Sequence, residues 1–140
     1  MKTQLFFLAA LLVVNFSLKA ETYNVLEFGA KGDGSTLDTA AIQGAIDAAA
    51  DASGTVLIPR KQTFLVSTLV LKGGIDFHLE GTLIISTNQG DYAGDGVITA
   101  LNAPNLKITG SGKILGQSLA FMTGYDVTNE WWLFKEWRPK

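Results

Sequence analysis

The chain has 140 residues, 15 glycines, no cysteine, and 11 basic against 13 acidic side chains, a net of −2. That length suits one domain and is short for two. The lack of cysteine excludes disulfides and thiolate metal sites, and the mildly acidic balance argues against nucleic acid or an anionic membrane as partner.

Residues 1–20 have a basic start at Lys2, an apolar run from Leu5 to Val14 and a small residue at Ala20. This pattern predicts a signal peptide cut after Ala20, and hence a secreted or periplasmic product with no membrane attachment after removal. A membrane anchor is the competing reading, since Leu18 stands where a small residue is usual. The apolar run is nevertheless shorter than the roughly 20 residues a spanning helix needs. Cleavage removes Lys2 and Lys19, which takes the mature net charge to −4.

The stretch FGAKGDGSTLDTAAIQGAIDAAA, residues 28–50, follows. Its glycine loop lacks the G-x-G-x-x-G order and the Gly-Lys-Ser/Thr ending of phosphate loops, and Asp33 would repel an anion. Asp33 and Asp38 are too few for a calcium loop. Turn chemistry accounts for it better: Gly29, Gly32 and Gly34 permit positive φ, and Asp33 bonds its own backbone. Asp38 is placed to N-cap a helix over about 38–50, with Ile42, Ala45, Ile46 and Ala49 at helical spacing. Such a small-residue face predicts a lid over the open end of a strand stack.

Short β-rich runs separated by breakers fill residues 54–117: GTVLIP, FLVSTLVL, IDFHLEG, TLIIST, and three more in 96–117. Ile75, Phe77 and Leu79 alternate with Asp76, His78 and Glu80, and Leu106 and Ile108 repeat the device. No Asn-Gly or Asp-Gly pair joins long matched strands, so the runs read as sides of a coil rather than as hairpins. A β-sandwich is the alternative.

Candidate chemistry is sparse. Asp76, the single histidine His78, and Glu80 share one strand face, where two acids and a base are imaginable and a solvated outer face is the plainer reading. Asp91 and Asp95 read as turn acids. The tail 118–140 reads as a loop and holds all three tryptophans. There Trp131 and Trp132 offer flat faces for sugar rings and Arg138 a partner for a uronate carboxylate. Packing of these aromatics onto the coil is the competing account.

In combination and order, several motifs resemble the N-terminal opening of polygalacturonases, glycoside hydrolase family twenty-eight of the pectin lyase-like superfamily. They are FGA-x-GDG (28–34), D-T-x-A-I-Q-x-A-I-D (38–47), G-T-V-x-I-P (54–59), F-L-V-x-x-L-x-L-K (64–72), L-x-G-T-L (79–83), GSGKILGQ (110–117) and EWW (130–132). The departures are Leu37 in place of an acid, no glycine before Phe64, and Ser118 after Gln117. The resemblance implies an all-β, right-handed parallel β-helix with an N-terminal helical cap, acting as a monomer on a pectic polysaccharide or oligogalacturonide, without cofactor. It also implies an inverting glycosidase whose carboxylates lie in N-T-D, D-D, G-H-G and R-I-K segments, none of which occurs here. The expectation is therefore an inactive leading fragment of a longer hydrolase, with no catalytic residue or metal ligand of its own. A pectate or rhamnogalacturonan lyase, and a non-catalytic carbohydrate-binding β-helix, are the alternatives.

Overall fold

The computed structural model describes residues 21–94, 96–129, 131–134 and 139. The expected signal segment 1–20, together with Asp95, Glu130, Lys135, Glu136, Trp137, Arg138 and Lys140, lies outside the described residues. The chain opens with β1 (Thr22–Asn24), a 3-10 turn over Val25–Phe28, β2 (Asp33–Leu37) and α1 (Thr39–Ala52). Next come β3 (Thr55–Ile58), β4 (Thr63–Val66) and β5 (Leu69–Val70), then β6 (Asp76–Leu79), β7 (Thr82–Ile85) and β8 (Ile98–Thr99). The last elements are β9 (Lys107–Thr109), β10 (Lys113–Leu115), β11 (Met122–Asp126) and β12 (Trp131–Phe134).

Strands pair with their counterparts one turn away, not with their sequence neighbours. The sheets run β1-β3-β6-β9, β2-β4-β7-β10 and β5-β8, and every pair within them is parallel. This is a three-sided parallel β-helix, wound right-handed as connections between parallel strands are. Two facing antiparallel sheets, which a sandwich requires, are not what these pairings build.

The register explains the alternating sequence. Val56 lies beside Phe77 and then Ile108 in the first sheet; Phe64 lies beside Leu83 and then Ile114 in the second. Val56, Ile58, Phe64, Val66, Phe77, Leu79, Leu83 and Ile85 point inward and are buried. Each contributes roughly 1.5–3 kcal/mol of transfer free energy. Ile108 holds the next inward position above Phe77 yet is 61% exposed, since no further coil covers it among the described residues.

α1 stands where the third side of the first coil would run. Its Ile42, Ala45, Ile46 and Ala49 are fully buried and face the 3-10 turn, β1, β3 and β5. Gln43 substitutes for a missing strand: its Oε1 accepts the Val70 N–H at 2.9 Å, and its Nε2 donates to the Val70 carbonyl at 3.1 Å.

Two local expectations differ from the structure. Asp38 sits at the helix N-cap but makes no capping bond, because its backbone (φ −94°, ψ 4°) is not in the extended conformation capping requires. Its carboxylate instead accepts the Lys31 and Gly32 N–H groups at 2.7 and 3.0 Å and so ties the glycine loop to the helix start. The tail expected as a loop includes the antiparallel pair β11–β12, with Tyr125 opposite Trp132 and Asp126 opposite Trp131. Aromatic and β-branched residues on either side of a polar turn favour that pairing over an irregular loop.

Candidate functional site

The outward face of the β1-β3-β6-β9 sheet carries the polar side chains that sequence singled out. Because Cβ atoms alternate along a strand, the buried positions of β6 force Asp76 and His78 outward, and Glu80 follows at the corner. The residues do not stand alone. Thr109, level with His78 on β9, donates its hydroxyl to Asp76 Oδ1 at 2.7 Å. That hydroxyl must then accept from His78 Nδ1, also at 2.7 Å, so Nδ1 bears a proton. His78 Nε2 lies 3.3 Å from Glu80 Oε1.

Glu80 has a stronger partner. Arg60, in the turn after β3, places its Nε 2.5 Å from Glu80 Oε2, and Ser111 donates to the same oxygen at 3.3 Å. The Arg60 contact is the main cause that holds the Glu80 carboxyl below its ordinary range. A carboxyl held ionised in this way is a poor general acid.

Spacing points the same way. Asp76 and Glu80 are four residues apart along extended chain, a rise of roughly 13 Å at the usual spacing. Glycosidase carboxylate pairs stand roughly 5–5.5 Å apart when retaining and 6.5–9.5 Å when inverting. This face is a hydrogen-bonded polar ladder without a hydrolytic pair.

Three further acids are also engaged. Asp33 Oδ1 accepts the Ser35 and Thr36 N–H groups at 2.9 and 2.7 Å, and these backbone bonds hold its carboxyl far below the usual range. Asp47 on α1 meets Lys72 Nζ at 2.8 Å; the contact lowers the acid and raises the amine. Asp91 accepts from Asn88 Nδ2 at 2.9 Å and from the Ser86 hydroxyl, inside its own turn. No three His, Asp or Glu side chains gather as a metal site among the described residues.

Trp131 and Trp132 lie on β12, and Arg138 falls outside the described residues. Sequence reasoning missed Arg60, Thr109 and Ser111. The one signal for Arg60 was its place in the turn that ends GTVLIP, one coil below the corner that holds Glu80.

Comparison with known proteins places this architecture. The profile of the family described as rhamnogalacturonase A/epimerase, pectate lyase-like, matches residues 22–131. The chain belongs to that family. Among curated relatives, the polygalacturonase ADPG1 of Arabidopsis thaliana is 39% identical over 82 residues, covering 54% of this chain and 19% of the relative. Alginate lyase 7 of Azotobacter vinelandii is 46% identical over 92 residues, covering 63% of this chain and 10% of the relative. Among solved structures, the family 28 exopolygalacturonase of Yersinia enterocolitica superposes with a TM-score of 0.62 at 33% identity, over 69% of this chain and 21% of that one. Membership in the rhamnogalacturonase A/epimerase family, with polygalacturonase relatives in both sequence and structure, establishes a polygalacturonase-like parallel β-helix. The chain spans about a fifth or less of the length of these relatives.

Proposed function

We propose that these coils belong to an exported, monomeric, pectin-degrading glycoside hydrolase that cleaves galacturonosyl linkages with inverting stereochemistry. In this reading residues 21–140 start and shield the coil and do not carry out the reaction. One observation carries the division of labour: the only acid–histidine–acid group is a spent ladder, with Glu80 held by Arg60 and Asp76 by Thr109. The polygalacturonase likeness supports a pectic polysaccharide or oligogalacturonide as substrate. Trp131, Trp132 and Arg138 are proposed as contacts to it, 1–20 as the export signal, and no cofactor is invoked. No helix among the described residues is long and apolar enough to cross a membrane.

Purified residues 21–140, incubated with polygalacturonate, should release neither reducing ends nor unsaturated uronate; turnover by this segment would overturn the reading. A lyase is the second reading, favoured by the likeness to the Azotobacter alginate lyase. Secreted gene product that generates reducing ends without the unsaturated chromophore supports the hydrolase, whereas the chromophore identifies a lyase.

A further inference from the structure

One corner of the coil repeats a backbone conformation in a way that opens a cleft. Ser53, Gly74 and Asn105 each lie two residues before an outward residue of the first sheet, namely Thr55, Asp76 and Lys107, which are in register. All three are left-handed, with φ of 52°, 78° and 58°. Asparagine adopts that conformation more readily than serine does. The middle position has no side chain, so a gap separates Ser53 from Asn105. This gap is the floor of a cleft of about 470 Å³ lined by these six residues together with Gly54 and Ile75, within the roughly 300–1,000 Å³ usual for small-molecule pockets.

The lining has a definite chemistry. Lys107 lies beside Asp76 in register, yet it makes no ion pair among the described residues, so its charge faces the cleft unspent. Asp76 already accepts from Thr109 through Oδ1. Ser53, Thr55 and Asn105 add hydroxyl and amide groups that both donate and accept. One cation, one acceptor and several two-way groups suit a ligand with a single carboxylate and many hydroxyls. A dianion would meet Asp76, and a neutral sugar would leave Lys107 unused.

We propose that this corner cleft is a binding site for a single hexuronate unit, with Lys107 on the carboxylate and Ser53, Thr55 and Asn105 on ring hydroxyls. Only the choice of galacturonate among uronates rests on the pectic reading.

Amide NMR titration of the 140-residue chain tests it with sodium galacturonate, galactose and sodium mannuronate as probes. Galacturonate should shift the amides of Ser53, Gly74 and Asn105, and galactose should bind at least about tenfold more weakly. Gly74→Asn should abolish the shifts by filling the floor. Asparagine tolerates this backbone, and a Cβ at Gly74 meets only Ser53 Oγ at 3.5 Å. Lys107→Gln should weaken binding about tenfold without lowering Tm. The proposal is overturned if those amides do not move, if galactose binds equally well, or if either variant binds like wild type. Mannuronate binding as tight as galacturonate supports the cleft and counts against the pectic preference, so the two readings fail separately.

Discussion

Asp38 is only 2% exposed and supplies both acceptors for the Lys31 and Gly32 N–H groups. Asp38→Ala leaves two donors of the glycine loop without their charged partner, a loss of about 3 kcal/mol. For a domain of this size that is roughly 4 °C of Tm per kcal/mol, and thermal melts should show it; an unchanged melt would mean that the loop finds other acceptors. Asp33 makes a different prediction because it is exposed. Its folded carboxyl is lowered by backbone bonds, so the stability it confers is complete above the ordinary carboxylate range. That stability is lost as pH falls through the lowered folded value. Asp33→Ala should therefore lower Tm at neutral pH, and the gap to wild type should shrink steadily on acidification below the ordinary range. A gap that is constant with pH would assign the effect to shape rather than charge. The need for an acid at both positions was legible in the sequence, but the task of Asp38 was not. A residue that looks like a helix cap can spend its carboxylate on a loop brought back by tertiary folding, which local spacing does not encode.

At the scale of elements, α1 shields an edge by two means. Its apolar stripe packs on the first coil, and Gln43 supplies to Val70 the acceptor and donor that a neighbouring strand would otherwise provide. Exposed sheet edges invite pairing with other chains, and natural folds cover them. Gln43→Ala should leave the helix folded, because Ile42 and Ile46 remain buried, while freeing the Val70 N–H. A bond of this kind is worth about 1 kcal/mol, so hydrogen exchange at Val70 should speed several-fold while α1 amides keep their protection. Equal protection at Val70 in both proteins would show that Gln43 does not guard the edge. The helix was readable from Ile42, Ala45, Ile46 and Ala49. The strands were readable from alternation such as Ile75–Phe77–Leu79. The pairing of strands was less so: β3 to β6 is a step of 21 residues and β6 to β9 a step of 31, so no fixed period marks the coil. The inserted residues lie outside the stack and leave its register intact. The β11–β12 pair was missed for the opposite reason, since aromatic residues in a short tail carry the same composition whether they pack as loop or strand.

For the molecule as a whole, the two ends of the stack are unlike. The first coil is covered by α1, whereas the inward-facing Ile108 and Ile114 on β9 and β10 are 61% and 50% exposed although Phe77 and Leu83, one coil below, are buried. Inward-facing aliphatic residues beside strand edges that are unpaired among the described residues form a surface that promotes association. Replacing Ile108 and Ile114 by Lys should cost little stability, because a side chain half in water loses little on exchange. Phe77→Ala removes a ring that is 1% exposed and should cost about 3–5 kcal/mol. Sedimentation velocity across a concentration series should then show these 140 residues on their own, without the further coils of the proposed monomeric hydrolase, associating, and the double lysine variant remaining monomeric at closely similar Tm. If the lysine variant associates as strongly as wild type, the sticky surface lies elsewhere and the last rung is not where this coil meets its neighbours. If it instead unfolds, those isoleucines already hold the third coil, and their exposure understates their work. Both outcomes are separated by comparing Tm with the sedimentation profile, since association through an edge leaves the folding transition in place.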